Sequence, residues 1–340
     1  MAVTIHDIAK RANVSPSTVS RVLSNSDRIS EETKQRVRKI MDELGYYPHS
    51  VARSLVNKST RTIGFFLPRV VEQVFNNPFM YEIIRGIGSV ASRNNYDILI
   101  TLGEGKKEEE TLRSLVHGRK VDGLMLIAAR VNDFAVDFLK NQKFPFVVVG
   151  RPLHNENSVN WVDNDNVDAA YQLTKHLIEL GHRQIGFVGG PLAYVVTIDR
   201  CEGYKKAIRE HGIAIRDDYL LETEFLEEGG YKAVVQLLNL KSPPTAVVLT
   251  DDLMAFGAVR ALKDRRMKIP EDMALVSFNN IPTAQFASPP LTSIDVNSCE
   301  LGKTGMEILL KEINHPAAAT NRAIIPFELI KRRSSIGVSK

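Results

Sequence analysis

The chain has 340 residues, 44% of them hydrophobic and 25% charged, which is too long for one small domain and suits a small head on a larger two-lobed body. No apolar run reaches the ~20 residues needed to cross a bilayer, a charge stands in residues 1–7 where a secretory signal would be apolar, and the two cysteines, Cys201 and Cys299, have no metal-ligand spacing. The composition thus argues against a membrane protein or a disulfide-stapled secreted one, and a cytoplasmic location is expected. The net charge of +4 is unevenly placed: residues 1–60 hold ten Lys/Arg against six Asp/Glu, and the remainder is neutral. Positive charge gathered in the head fits electrostatic attachment to a polyanion.

The head reads as short helices. Thr4-Ile5-His6-Asp7 has the form of a capping box, and Ile5, Ile8, Ala9 and Ala12 share one apolar face. Asn13-Val14-Ser15 interrupts it. Ser15 is placed to cap a second helix with Pro16 at its first position, where a missing N–H is harmless. That helix turns Val19, Val22 and Leu23 inward and leaves Ser17, Thr18, Ser20 and Arg21 outside. Ser30 caps a third helix that buries Val37, Ile40, Met41 and Leu44 and stops at Gly45. Two short helices joined by a tight turn, the second carrying small polar groups and an arginine, make a helix-turn-helix; a plain three-helix bundle is the alternative. Residues 51–55, Val51-Ala52-Arg53-Ser54-Leu55, can form barely two helical turns, too short to be stable alone, and read either as a linker or as a helix that orders on a partner. Residues 58–62 are a polar joint.

The unbroken string from Thr4 to Leu23, with its Val14-Ser15-Pro16-Ser17-Thr18-Val19-Ser20-Arg21 core, closely resembles the headpiece of the lactose/galactose-repressor family. The resemblance implies a transcriptional repressor whose second helix enters the major groove, with Pro16, Ser17 and Arg21 at the base-reading positions. Arg21 has the geometry to bond guanine O6 and N7 together. Thr4, Ser15, Thr18, Ser20 and Ser30 complete the DNA-contacting set. Val51, Ala52 and Leu55 match, in register, a hinge helix that pairs with its mate and wedges the leucine into the minor groove.

From residue 63 onward strands and helices alternate. Strands are predicted at 63–67, 97–102, 123–127, 146–149, 185–188, 245–249 and 274–278, and helices at 80–93, 108–116, 165–180, 200–210 and 253–263. This order predicts two Rossmann-like parallel sheets facing each other across a cleft, with ligand beyond the carboxyl ends of the strands. The family resemblance covers this body too and implies a periplasmic-binding-protein-like fold. The expected organisation is a helix-turn-helix headpiece (1–47), a hinge (48–60) and an effector and dimerisation domain (61–340). Its first lobe spans about 61–160 and 292–320, and its second about 161–291 and 321–340. No heptad pattern follows residues 326–329, so a homodimer is expected rather than a larger assembly.

Candidate ligand residues stand at strand ends: Asn77 and Phe79 after the first strand, Arg151 after the fourth, Asp251 and Asp252 after the strand ending at 249, and Asn279 after that ending at 278. The resemblance adds Trp161 at the first lobe crossing, Arg200 at the family's ligand-binding arginine, and Phe225. Other readings stand beside these. Trp161 also fits the core, Arg151 a loop, Arg200 a surface ion pair, and Asp252 or Asp163 a helix cap. Planar carboxylates, amides and guanidinium with aromatic faces suit a sugar, and two arginines are too few for a phosphorylated ligand. The stretches 149–152, 160–164 and 277–280 look most like those of regulators of maltose and maltodextrin operons.

The segment 86–91 matches a dinucleotide pattern but lies inside a predicted helix, where its glycines suit close packing. His176 and His182 have no nucleophile or metal partners at useful spacing, so neither catalysis nor a cofactor is expected. A transport-type sugar-binding protein and a sugar- or nucleotide-metabolising enzyme are the rival classes. Among regulators, a purine sensor and a catabolite regulator with a phosphocarrier corepressor remain.

Overall fold

A computed structural model describes residues 3–23, 26–46, 59–67, 77–103, 107–127, 129–154, 156–316 and 319–336. The head contains α1 (Ile5–Ala12), α2 (Pro16–Leu23) and α3 (Glu31–Glu43). The N–H and hydroxyl of Thr4 donate to the Asp7 carboxylate at 2.8 and 2.7 Å, fixing the start of α1. Asn13, in the left-handed region at φ 53°, ends it. Ile8, Ala9, Ala12, Val19, Val22, Val37 and Met41 form a separate small core; Ile5, Leu23, Ile40 and Leu44 close its rim half-buried. Gly45, at φ +61°, ends α3 in a double turn, its N–H donating to Asp42 and that of Tyr46 to Met41.

The body holds two six-stranded sheets. The first is built from β1 (Thr62–Leu67), β2 (Asp97–Leu102), β3 (Gly123–Ile127), β4 (Phe146–Val149), β5 (Trp161–Asp163) and β11 (Arg322–Ile324), in the order β11-β5-β4-β3-β1-β2 and parallel throughout. The second is built from β6 (Ile185–Gly189), β7 (Leu220–Glu222), β8 (Ala246–Leu249), β9 (Ala274–Phe278), β10 (Thr292–Asp295) and β12 (Glu328–Ile330), in the order β12-β10-β9-β8-β6-β7, with only β12 antiparallel. The central strands are buried along their whole length, save Thr62 at the start of β1, as sheets covered on both faces require. Helices α4 (Pro78–Arg93), α5 (Lys107–His117), α6 (Phe134–Asn141) and α11 (Ser298–Asn314) belong to the first lobe. Helices α7 (Asn166–Glu179), α8 (Val195–Glu210), α9 (Glu227–Leu238) and α10 (Asp252–Asp264) belong to the second. The helix-turn-helix head and two-lobed α/β body are therefore as the sequence predicts.

The lobe boundaries lie a few residues later than expected. Residues 161–163 hydrogen-bond into the first sheet, 292–295 into the second and 322–324 into the first. The chain crosses between 163 and 166, between 295 and 298, and between 324 and 328. Each crossing follows a strand that must finish its ladder first, and three- or four-residue strands carry no readable periodicity. Helix α8 also begins at Val195 rather than near 200, because Val195-Val196-Thr197-Ile198 is a β-branched run that resembles a strand.

Three helix pairs cross through glycines. A Cβ at Gly302 would overlap the Ile83 carbonyl, one at Gly86 that of Cys299, one at Gly203 that of Val167, and one at Gly230 that of Met254. The glycines of segment 86–91 thus divide: Gly86 permits close approach of α4 to α11, whereas Gly88 has only Ile98 Cδ1 at 3.9 Å. Gly302→Val should therefore destabilise the body by about 1–3 kcal/mol through overpacking. Gly88→Ala should be neutral or stabilise by up to about 1 kcal/mol through helix propensity. Denaturant midpoints check both, and an unchanged midpoint for Gly302→Val would show the crossing to be loose.

Candidate functional site

The first candidate surface is α2. The Ser15 hydroxyl caps it, accepting from the Thr18 N–H at 3.1 Å and lying 2.7 Å from Ser17 Oγ and 2.9 Å from Thr18 Oγ1. Ser30 caps α3 in the same way, accepting from the Thr33 N–H, whereas Thr4 donates its N–H and hydroxyl to Asp7. Pro16, Ser17 and Arg21 are exposed on one side of α2, with Thr18 and Ser20 half-buried beside them, while Val19 and Val22 anchor the opposite side. Lys10, Arg11, Arg28, Arg36, Arg38 and Lys39 are exposed around this helix pair; Lys34 is buried and spent on Glu31 at 2.7 Å. Val51, Ala52 and Leu55 lie outside the described residues.

The second is a cavity between the lobes at the carboxyl ends of both sheets. Among the expected residues, Asn77, Phe79, Arg151, Arg200, Phe225, Asp251 and Asn279 line it. Asn77 caps α4 through the Phe79 N–H and sends its amide across the cleft to Asp251 at 3.1 Å. Asp251 caps α10, accepting from the Leu253 N–H at 2.7 Å, and also accepts from the Asn279 amide at 2.9 Å. Asn279 and Asn280 both have positive φ, 97° and 45°, a conformation asparagine tolerates. Asn280 turns away, bonding Asp295 and Arg332. Phe225 reaches the cavity over Gly190, where a Cβ would overlap its ring.

Arg200 lies buried in the second turn of α8. Its Nε donates to Asn166 Oδ1 at 3.0 Å and Nη1 to the Thr250 carbonyl at 2.7 Å. Its guanidinium carbon sits 4.1 Å from the centroid of Phe278. Burial pushes its pKa down to about 10 against the pull of Asp251, Asp163, Asp252 and Asp199, so it stays cationic at neutral pH. Arg151 meets Asp199 across the lobes at 3.1 Å. Two backbone bonds also join the lobes, Val195 N–H to Ala129 O at 3.0 Å and Val131 N–H to Ala193 O at 2.9 Å.

Two expected ligand residues, Trp161 and Asp252, do not line this cavity. Trp161 is buried among Val148, Val159 and Phe146, with its indole N–H donating to the Glu156 carbonyl at 3.0 Å. Strand alternation turns it to the other face of the first sheet, because Val162 takes the inward position. Asp252 is fully buried beneath the cavity, accepting from the Ser277 and Ser293 hydroxyls and the Ile281 N–H. The cap it was offered for is made by Asp251.

Asp163, Asn164, Asn166 and Thr250 are the polar lining residues missing from the expected set. Asp163, a candidate cap, is instead buried, accepting from the N–H groups of Arg151 and Asn164 and from the Asn166 amide; Asp165 caps α7. Burial pushes Asp163 up to about 6 against those two backbone bonds. The run Asp163-Asn164-Asp165-Asn166 at a strand–helix junction was the available signal. The apolar lining, including Met80, Ile127, Val149 and Leu301, cannot be told from core by sequence. Amides, carboxylates and one buried guanidinium between two phenylalanine rings suit a neutral polyhydroxylated ligand.

Burial raises Asp252 from 3.8 to about 7 in the folded protein. Its contribution to stability is complete below the unfolded value and is lost as pH rises through about 7. Wild type should therefore lose stability relative to Asp252→Asn as pH rises from about 4 to about 7. Chemical denaturation of both proteins measures this, and parallel curves would mean that Asp252 does not titrate in that window.

A family model described as "Bacterial regulatory proteins, lacI family" matches residues 4–49, and one for a periplasmic binding protein-like domain matches residues 174–335. The HTH-type transcriptional regulator MalR of Streptococcus pneumoniae is 38% identical over 317 residues, 92% of this chain and 94% of that protein. A solved complex of the transcriptional regulator CelR with cellobiose is 30% identical, with a TM-score of 0.78 over 98% of this chain and 99% of that one. The lac repressor dimer bound to operator and the anti-inducer ONPF is 25% identical, with a TM-score of 0.87 over 99% and 100% of the two chains. With a helix-turn-helix head, a periplasmic-binding-like body and relatives that are regulators along nearly its whole length, this chain belongs to the LacI family of bacterial transcriptional regulators.

Proposed function

We propose that this chain is a dimeric repressor of a carbohydrate-utilisation operon whose interlobe cavity takes a glucose disaccharide, maltose, or a maltodextrin. The carrying observation is the cavity itself: Asn77, Arg151 and Asp163 from the first lobe and Arg200, Asp251 and Asn279 from the second converge on it, beside Phe79 and Phe225. Paired hydroxyls of a pyranose suit such bidentate groups, and the rings suit its apolar faces. The cellobiose bound by the CelR relative is also a glucose disaccharide. The stretches 149–152 and 160–164, which resemble regulators of maltose operons, lead into this cavity through Val149, Gly150, Arg151, Asp163 and Asn164.

In this reading two heads bind a near-palindromic operator through Arg21 and its neighbours on α2, as the lac repressor dimer binds its operator. The segment at 51–55 pairs with its mate and sets Leu55 into the minor groove. Sugar bound between the lobes favours one lobe arrangement over another, and that difference biases the spacing of the paired hinges.

Calorimetric titration with maltose, maltotriose, glucose, lactose and hypoxanthine tests the ligand. Heat from the maltosaccharides supports the reading, and binding of hypoxanthine alone overturns it. Arg200→Ala should lose that binding by at least about tenfold, a loss of about 1.4 kcal/mol, while keeping operator affinity. Leu55→Ala should weaken operator binding and leave sugar binding intact; equal operator affinity would remove the hinge from the mechanism. Operator binding with and without the sugar gives the sign: a fall marks an inducer, a rise a corepressor.

A further inference from the structure

A second cavity, of about 620 Å³, opens beside the first, within the ~300–1,000 Å³ range of small-molecule sites. It too lies between the lobes. Glu156, Trp161, Arg322 and Ile324 come from the first, and Asp165, Asp168 and Lys206 from the second. Arg151 and Asn164 line both cavities, so the two are neighbours across a single layer of side chains. Besides the buried Asn164 amide, bonded to the Val296 and Ile325 carbonyls, that layer includes the Arg151–Asp199 pair, a partly exposed contact between flexible side chains. Such a pair is held by little free energy and can part.

The lining points to a neutral polar occupant. Three cations, Arg151, Lys206 and Arg322, face three acids, Glu156, Asp165 and Asp168, which leaves no excess of either sign for a phosphate or a carboxylate. Ile324, at 53% exposure, adds an apolar surface on the edge strand. Hydrogen-bonding groups around an apolar patch repeat the chemistry of the first cavity at a distance of one side-chain layer.

We propose that the second cavity is an extension of the sugar site, holding the further glucosyl units of a maltooligosaccharide whose leading end enters the first cavity. The proposal rests on reading the first cavity as a glucosaccharide site. Arg151 then serves both parts: leaving Asp199, it turns to the sugar at the junction. The protein thereby discriminates chain length, with Arg322, Ile324 and Lys206 as specificity-determining residues that a disaccharide does not touch.

Calorimetry of the full chain with maltose and with maltotetraose tests this. Wild type should bind maltotetraose roughly tenfold more tightly, a gain of about 1.4 kcal/mol. Ile324→Trp, which fills the second cavity from an exposed edge position, should abolish that gain and leave the maltose affinity unchanged. Arg322→Ala and Lys206→Ala, both at exposed positions, should each reduce the gain and provide the test if the tryptophan variant does not fold. Equal affinity of wild type for the two sugars overturns the extension and leaves the disaccharide reading standing, as does equal loss of both sugars in the variants. Failure of both sugars to bind wild type overturns the two together.

Discussion

The Asn164 amide donates to the Val296 carbonyl at 3.0 Å and to the Ile325 carbonyl at 2.8 Å. Those three residues stand on the three segments that cross between the lobes, so one buried side chain ties all the covalent connections together at a point. Two sheets built from interleaved pieces of chain would otherwise be joined by three independent strings. With their crossings hydrogen-bonded to one another, the lobes share a single pivot, and movement of one against the other must turn about it. Asn164 also lines the interlobe cavity, which places the pivot at the cavity wall.

Around this point the charges are arranged so that little is left unbalanced. Arg200 is buried among Asp163, Asp199 and Asp251, and it donates to an amide oxygen and a backbone carbonyl as well as lying over an aromatic ring. A lone buried guanidinium would be very unfavourable; surrounded in this way, it becomes a fixed donor whose position does not depend on the ligand. Asp251 plays the matching acceptor role. By capping α10 while holding Asn77 and Asn279, it makes the stability of a helix and the closure of the cleft depend on the same carboxylate. In the proposed function, ligand hydroxyls entering between these groups would compete with bonds that join the lobes, which would couple ligand binding to lobe arrangement through shared partners.

The head follows a different rule. Ser15 and Ser30 satisfy helix N-termini, Thr4 is bonded to Asp7 and Lys34 to Glu31, and Pro16, Ser17 and Arg21 are exposed on α2. A core of seven apolar side chains orients that surface, on helices whose first turns are fixed by neighbouring polar side chains.

Much of this was legible in the sequence where the physics is local. The caps of α1 and α3, the left-handed stop at Gly45 and the long buried strands each rest on a few adjacent residues, so composition and period determine them. The strand ends did the same for Asn77, Arg151, Asp251 and Asn279, since the carboxyl edge of a parallel sheet faces the cleft wherever the strand ends. What only the tertiary structure decided is which side a residue takes when neighbours compete. Trp161 and Val162 could each have faced inward, and the packing of Val148 and Phe146 settled it. Of Asp251 and Asp252, one caps the helix at the cavity and the other is buried beneath it by two serines that arrive from β9 and β10. The three-residue strands, and with them the true crossings, exist because partners distant in sequence hydrogen-bond to them. Nothing in three residues alone can specify a ladder.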